Sequence, residues 1–275
     1  MPGTLYIVAT PIGNLGDMST RAIETLRKVS FIAAEDTRVS LKLLRHFGIS
    51  TPLVSYHEHN RRQRGDMIIS RLFEGESGAV ITDAGMPCIS DPGEDLVRLA
   101  AESNIHVVVV PGPCAVVSAL AVSGLSTGRF AFEGFLSVNK AARIEHLNSV
   151  KDDPRTLIFY EAPHKLIHTL RDMLEVFGER NIALARELTK LHEETIRTTF
   201  IKALEYYEGN SPRGEYVLVI EGAPMPERET VPIEAAIQLA KSYMEQGEAA
   251  SAAAKTAAKE TGHRKSEIYR RLEDR

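Results

Sequence analysis

"AVITDAGMPCISDPG", Ala79 to Gly93, runs four strand-like residues into two acidic turns separated by a small proline-bearing loop. Gly and Pro directly after a buried strand make the backbone bend sharply and let something come close to it. The same layout recurs through the first 114 residues. "LYIVA" (Leu5 to Ala9) is a continuous apolar run, as expected of a strand covered on both faces, and it breaks at "TPIGNLGD". A helix with Ala22, Ile23, Leu26 and Val29 on one face follows. "FIAA" (Phe31 to Ala34) reads as a second strand, then a helix through Leu41, Leu44 and Phe47 stops at Gly48 in the C′ position. "AVIT" and "HVVVV" (His106 to Val110) are two more buried strands, and Leu96, Val97, Leu99 and Ala100 mark the helix between them. Alternation of this kind predicts a mostly parallel α/β sheet with Gly/Pro-rich loops at the strand ends.

A second unit begins after "PGPC". "AVVSALAVSGL" (Ala115 to Leu125) predicts a connecting helix, and "RFAFEGF", "TLIFYEAP", "NIALARE" and "GEYVLVIEG" supply four strands. These are more charged and alternating, so their sheet is expected to be mixed or more exposed. "GAPMPERETVP" (Gly222 to Pro232) reads as a linker. The rest is rich in Ala and Lys without strand signal. It predicts a helix to about Glu260, a turn at Thr261–Gly262–His263 and a second helix with Ile268, Tyr269 and Leu272 inward. The expected organisation is an α/β domain over 1–114, a second over 115–224, with a ligand cleft between them, and a helix-turn-helix-like extension over 232–275.

Composition narrows the class. With 43% apolar and 25% charged residues, the 275-residue chain reads as an ordinary globular protein. No apolar run approaches the roughly 20 residues of a membrane span, and the N-terminus lacks a signal-peptide pattern. Cys88 and Cys114 sit in Gly/Pro turns without metal spacing and read as free thiols of a cytoplasmic protein. A net charge of −4 gives no global attraction to nucleic acid, so any such contact must come from local basic patches.

The opening loop carries Asp83 and Asp91 and no nearby cation, which argues against a phosphate ligand. No GxGxxG fingerprint is present either. A ligand that is neutral or cationic where it meets this loop fits, and S-adenosylmethionine, with its amino acid and sulfonium, is such a ligand. The plainer reading is that both Asp residues cap turns and the following helix. Glu35, Asp36 and Arg38 follow "FIAA" at a strand end where α/β sheets present ligand groups, although Asp36 or Thr37 also suits a helix N-cap. The run "HEHNRRQR" (His57 to Arg64) offers a weak metal reading through His57 and His59, a solvated helix start, or RNA contact. In the RNA reading, Arg61, Arg62 and Arg64 donate to phosphates, and Tyr56 or His59 is available to stack on a base. Lys165 begins a helix where an acid is usual, which suits either a substrate partner or an exposed Lys. Arg264, Lys265, Arg270 and Arg271 form a basic face in the tail.

The strings "ATPIGNLGD", "SFIAAEDTR", "VITDAGMPCISDPG" and "VVPGPCAVVSAL", in that order and spacing, closely resemble the tetrapyrrole methylase superfamily. "YHEHN", "FYEAPHK" and "ARELTKLHEE" resemble its ribosomal RNA small subunit methyltransferase I branch. The resemblance covers essentially the whole chain and departs from the familiar loop at Met86 and Cys88. It implies two α/β domains with S-adenosylmethionine between them, a homodimer, and 2′-O-methylation of a cytidine ribose in the decoding centre of 16S rRNA. Carried over position by position, it puts cofactor contacts at Pro11, Asp83, Ala84, Gly85, Ile89, Ser90, Ser118, Ala119, Tyr160, Ala185 and Glu215, and implies no metal. RNA contacts are expected at Arg38, His57, His59, Arg61, Arg62, Arg64, Arg264, Lys265 and Arg270. Asp36, Glu58 and Lys165 stand as alternatives for a general base, which typically contributes ~10²–10⁴-fold. Positioning a hydroxyl in line with the methyl can supply ~7–11 kcal/mol and so outweighs the base. Two rivals remain: a tetrapyrrole C-methyltransferase, which has no use for a helical tail, and a ligand-gated nucleic-acid-binding protein. The second would need base-reading side chains on the last helix, where Ser266 and Glu267 match poorly.

Overall fold

Strands β1 (Thr4–Val8), β2 (Phe31–Ala34), β3 (Leu53–Ser55), β4 (Gly78–Ile81) and β5 (His106–Val110) pair in parallel in the order β3-β2-β4-β1-β5. The computed structural model describes residues 1–224 and 231–273. The chain divides into two compact units, Met1–Ala223 and Pro224–Arg275, and the sheet belongs to the first. Of the expected linker, residues 225–230 lie outside the described residues.

The apolar runs of the central strands sort onto both faces with period two. Val8, Ile32, Ala34, Ala79 and Ile81 pack with Ala22 and Leu26 of α1 (Thr20–Lys28) and Leu44 of α2 (Thr37–His46). Leu5, Ile7, Phe31, Ala33 and Val80 pack on the other face with Ile68 and Leu72 of α3 (Arg61–Phe73) and Leu96 and Ala100 of α4 (Glu94–Glu102). Ser19 starts α1 by accepting the Ala22 N–H at 3.1 Å, and Gly48 ends α2 at φ +61°.

Several expectations need correction. "HVVVV" is an edge strand, with Val109 52% exposed, because β5 pairs only with β1. Leu41 is 39% exposed, since Ser40 and Leu44 hold the buried stripe of α2. Asp91 does not cap α4; Gly93, at φ +135°, stands in that position. Strand β3 was hidden by its three-residue length.

In the same unit, α5 (Ala115–Ser123) leads into a second sheet. Its strands β6 (Phe130–Phe135), β7 (Thr156–Glu161), β8 (Asn181–Arg186), β9 (Glu194–Thr199) and β10 (Tyr216–Ile220) run in the order β6-β7-β10-β8-β9. Only β6 and β7 are parallel, so this sheet is mixed. It is not broadly exposed: every residue of β10 is buried. Helices α6 (Lys140–Val150), α7 (Leu166–Phe177) and α8 (Phe200–Gly209) cover one face through Leu147, Leu170, Met173 and Phe200, and α5 covers the other through Val116, Ala119 and Leu120. Strand β9, "ETIRTT", has no apolar run to announce it. It is added at the edge, where Glu194 takes the Arg186 guanidinium at 2.6 Å.

Among the described residues the second unit holds three helices, one more than expected: α9 (Ile233–Glu245), α10 (Ala250–Thr261) and α11 (Lys265–Glu273). Ala236, Ala240, Ala254 and Ala257 make a core of small side chains closed by Ile268, with Tyr269 and Leu272 packed against it. The expected turn is present, with Gly262 at φ +78°.

Gly78 is needed for the first sheet to close. It stands opposite Phe31 on β2, and a Cβ there would fall 2.3 Å from the Phe31 ring. The ring cannot retreat easily, because the Arg71 guanidinium lies 4.0 Å from its centroid. Gly78→Ala should cost about 1–3 kcal/mol by overpacking. In thermal denaturation, Phe31→Leu added to Gly78→Ala should recover part of that loss, a non-additivity expected only if the two side chains collide.

Candidate functional site between the two sheets

Strands β1 and β4 lie side by side, and the helices that follow them leave toward opposite faces of the sheet. Open α/β sheets form their ligand crevice at such a switch point, beyond the carboxyl ends of the strands. Here the two loops are stitched together. Thr10 N–H donates to the Gly85 carbonyl at 2.9 Å, and Gly85 N–H donates to the Thr10 carbonyl at 3.1 Å. Gly85 needs φ +87° to make this pair, and a Cβ on it would press to 3.3 Å from Ile12 Cγ2. The chain then turns back on itself, with Cys88 at φ +70° and Ser90 at φ +64°. Gly93 is required at the end of this reversal, because a Cβ there would strike Cys88 Sγ at 2.7 Å.

These loops form one wall of a cavity of about 390 Å³. Ile12, Glu35, Asp83, Ala84, Gly85, Met86, Ile89, Ser90 and Asp91 line it from the parallel sheet. The mixed sheet supplies Phe135, Tyr160, Glu161, Ala185, Glu187, Leu188, Lys190, Glu215 and Val217, while Cys114 and Ala115 join the walls. Of the expected cofactor contacts, Asp83, Ala84, Gly85, Ile89, Ser90, Tyr160, Ala185 and Glu215 therefore share one cavity. Three do not line it. Ala119 is fully buried beneath the mixed sheet, and the Ser118 hydroxyl bonds back to the Cys114 carbonyl at 2.8 Å. Pro11 lines a neighbouring depression with Ser40, Lys42 and Thr82, which shares Asp83 with the main cavity.

Two of the three expected proton acceptors are engaged elsewhere. Asp36 is the N-cap of α2: it accepts the Arg38 N–H at 2.8 Å, and both its oxygens hold the Arg38 guanidinium, at 3.1 and 2.7 Å. Those bonds hold its carboxyl well below the usual carboxylate range, so it is a weak base, and the cap reading prevails. Glu58 is exposed and does not line the cavity. Lys165 is the N-cap of α7, and its ammonium is answered by the buried Glu161 at 3.0 Å instead of waiting for a substrate anion. Glu161 is further held by the Thr169 hydroxyl at 2.5 Å.

Residues that sequence reasoning did not assign complete the walls. Glu187, at φ +51°, pairs with Lys190 at 2.9 Å, and the Lys190 stem lies over Gly13, where a Cβ would fall 2.4 Å from Lys190 Cγ. Phe135 packs on Tyr160 with centroids 5.3 Å apart. The run "ARELTK" carried the first pair in plain sight; Phe135 gave no signal. On the parallel-sheet wall Glu35, Asp83 and Asp91 converge. Burial, then Asp83, then Asp36 push the Glu35 carboxyl up, with His57 opposing. Burial raises that of Asp83 as well, against the Asp36 N–H that it accepts. Asp91 is pushed up to about 6 by burial and then by Glu35 and Asp83.

Outside the cavity, the Arg38 side chain is 88% exposed although clamped by Asp36. Arg61 is half-exposed, 3.9 Å from Asp95, and Arg62, Arg64 and His59 are exposed. Tyr56 is not available to stack on a base: it is buried and donates to Asp95 at 2.6 Å. His57 lies half-buried, its Nε2 3.2 Å from Asn60 Nδ2. Among the described residues no group of three or more His, Cys, Asp or Glu is arranged to hold a metal. Arg264, Lys265 and Arg270 are exposed in the second unit, with Lys265 Nζ 2.9 Å from the Ser251 hydroxyl. No helix of the described residues is long and apolar enough to cross a membrane.

A family model for Tetrapyrrole (Corrin/Porphyrin) Methylases matches residues 4–204. Proteins named ribosomal RNA small subunit methyltransferase I are similar over most of the chain. That of Synechocystis sp. is 47% identical over 97% of this chain and 96% of its own length. That of Pseudomonas aeruginosa is 53% identical over 82% of each. That of Thermotoga maritima is 46% identical over 80% of this chain and 99% of its own. Among solved structures, a cobalt precorrin-4 methyltransferase superposes with a TM-score of 0.58 at 15% identity, covering 79% of this chain and 94% of that one. A diphthine synthase superposes with a TM-score of 0.59 at 11% identity, covering 79% and 89%. These last two likenesses concern the fold.

The acidic wall has a measurable cost. The Asp91 carboxyl titrates higher folded than unfolded, so the folded state holds its proton between about pH 4 and 6 where the unfolded chain has lost it. The carboxyl therefore lowers stability as pH rises through that window. Asp91→Asn should melt at the higher temperature at about pH 7.5, and the advantage over wild type should shrink progressively toward about pH 4. Differential scanning calorimetry across that range checks both the sign and the window.

Proposed function

Because the chain belongs to the tetrapyrrole methylase family, in its ribosomal RNA small subunit methyltransferase I branch, we propose that it transfers a methyl group from S-adenosylmethionine to 16S rRNA of the small ribosomal subunit. The acceptor in this reading is the 2′-hydroxyl of a cytidine in the decoding centre, and the working enzyme is a cytoplasmic homodimer. The observation that carries the reading is identity of 47% over nearly the whole length of a relative with that name.

The cavity suits this methyl donor. Its volume of about 390 Å³ falls in the ordinary range for ligand pockets. Glu35 and Asp83 suit a ligand that carries positive charge, and Ile12, Leu188 and Val217 offer apolar surface to an adenine. When bound, S-adenosylmethionine supplies an electrophilic methyl on a positively charged sulfur. Asp83 is best used on the ribose or amino group. A carboxylate touching the sulfur would stabilise the ground state more than a transition state in which that charge is fading. Tyr160, Ala185 and Glu215 would hold the ligand from the mixed sheet, and the stitched loops after β1 and β4 would fix its position. Orientation of the hydroxyl is then the largest contribution to rate, on the order of 7–11 kcal/mol in favourable cases.

For the RNA, Arg38 presents a guanidinium already oriented by Asp36, and Arg61, Arg62 and Arg64 present a basic edge at the start of α3. The basic residues of the second unit, Arg264, Lys265 and Arg270, are added affinity in this reading. His57 and His59 precede α3 with ring centroids 6.0 Å apart, and the exposed His59 is the ring offered to a base in this reading.

Labelled S-adenosylmethionine incubated with 30S subunits, naked 16S rRNA or a precorrin tests the assignment. Methyl incorporation into either ribosomal substrate is expected, and incorporation into the precorrin alone would overturn it. Arg61→Ala combined with Arg62→Ala should raise KM for the ribosomal substrate and flatten the salt dependence of binding by about one unit of slope per lost phosphate contact. Donor affinity in calorimetry should stay unchanged. An unaltered salt slope would remove this edge from the RNA interface.

A further inference from the structure

The cavity contains more carboxylates than cations, and most are committed. Glu161 is held by Lys165 and Thr169, Glu187 by Lys190, and Glu215 is 87% exposed with Lys190 Nζ at 4.0 Å. Asp83 accepts a backbone N–H from Asp36 and lies within the field of Arg38, and Glu35 lies within that of His57. Among the described residues Asp91 makes no ion pair, and the charges that act on it, Glu35 and Asp83, are both acids. The titratable groups around it are Glu35 at the end of β2, Asp83 at the end of β4, Cys88 in its own loop and Tyr160 on β7 across the cavity. The buried Thr82 hydroxyl faces Asp91 and opposes the effect of the two acids.

Its backbone is arranged to present it there. Left-handed Cys88 and Ser90 reverse the chain, and Gly93 at φ +135° returns it to α4, leaving Asp91 on the cavity wall beside Ser90. Such backbone is costly for non-glycine residues and persists only where its surroundings demand it. A turn that merely started α4 would not need to place a carboxylate in the field of two others.

Resting on the methyl-transfer reading above, we infer that Asp91 is the catalytic residue that accepts the proton of the acceptor hydroxyl. The O–H bond breaks and its proton passes to an Asp91 carboxylate oxygen. The oxygen forms the new bond to the methyl carbon as the carbon–sulfur bond breaks, and that electron pair stays on sulfur. A carboxyl raised toward neutrality suits this task better than one held low, because an efficient base titrates near the working pH. The same carboxylate is present for every turnover, so the proton must leave to solvent before the next.

Two measurements test this. The first needs no substrate. In protein carrying ¹³C-labelled aspartate, the side-chain signal that disappears in Asp91→Asn should titrate near 6. A midpoint under about 4.5, the ordinary carboxylate range, would overturn the assignment. The second is single-turnover methyl transfer to 30S subunits across pH. The wild-type rate should rise with pH to a plateau. Asp91→Asn should lose about 10²-fold or more together with that rising limb, while its calorimetric Kd for S-adenosylmethionine stays within about threefold, and Asp91→Glu should recover part of the rate. Turnover retained in Asp91→Asn within about threefold, or donor affinity lost in parallel with rate, overturns the inference. If wild type binds the donor and methylates no ribosomal RNA, the functional reading fails, and the carboxyl titration still decides whether Asp91 is poised as a base.

Discussion

The reciprocal hydrogen bonds between Thr10 and Gly85 hold the site together. They join the loops after the two central strands, at the point where the chain departs to opposite faces of the sheet. Thr10 is wholly buried, and its hydroxyl adds a third tie to the Thr82 carbonyl at 3.1 Å. With the floor pinned in this way, the segment from Ala84 to Asp91 has a rigid start, and its later left-handed residues place side chains instead of merely wandering. Loops positioned by a rigid scaffold are where binding and catalysis usually reside. The two central strands supply that scaffold from a sheet buried on both faces.

The opposite wall is brought in by a complementary absence. Gly13 leaves room for the Lys190 stem, and Gly214 leaves room for the Glu187 carboxylate, which a Cβ would approach to 2.5 Å. The Glu187–Lys190 pair thus sits over the first loop while still attached to the mixed sheet. Charges on the two walls are handled differently. The mixed-sheet wall pairs its acids with lysines, and the parallel-sheet wall leaves Glu35, Asp83 and Asp91 to repel each other. Active sites commonly retain such unfavourable clusters at the expense of stability.

Much of this was legible from residues alone. The buried strands announced themselves as apolar runs bounded by Gly and Pro, and the loop whose lack of cations suggested a neutral or cationic ligand contributes Asp83, Ala84, Gly85, Met86, Ile89 and Ser90 to the cavity wall. Short or polar strands were not legible. Strand β3 has three residues, and β9 is built mostly from Glu, Thr and Arg, a polar run whose place is set by pairing with β8 and not by an apolar pattern of its own. Residue roles failed where a second partner decided them. Asp36 looked like a base until Arg38 closed on both its oxygens, and Tyr56 looked like a stacking platform until Asp95 drew its hydroxyl inward. Ser118 and Ala119 follow "PGPC" closely, but helical geometry turns Ala119 under the mixed sheet, and the Ser118 hydroxyl bonds back to the Cys114 carbonyl. Asp91 read as a helix cap because Asp-Pro before an apolar helix is a strong local signal; the positive φ values that move it aside arise from packing at Cys88 and Gly93.

The order in which the walls appear along the chain bears on synthesis. The parallel sheet is complete once Val110 has been made, whereas the cavity also needs Val217, from β10 in the mixed sheet, and Glu215 just before it. N-terminal portions generally fold first as a chain leaves the ribosome, at roughly 5–20 residues per second. A nascent chain therefore carries a finished floor with its acidic wall open to water for several seconds, and no enclosed site. The half-built protein has no complete site, and competence arrives abruptly with a single central strand.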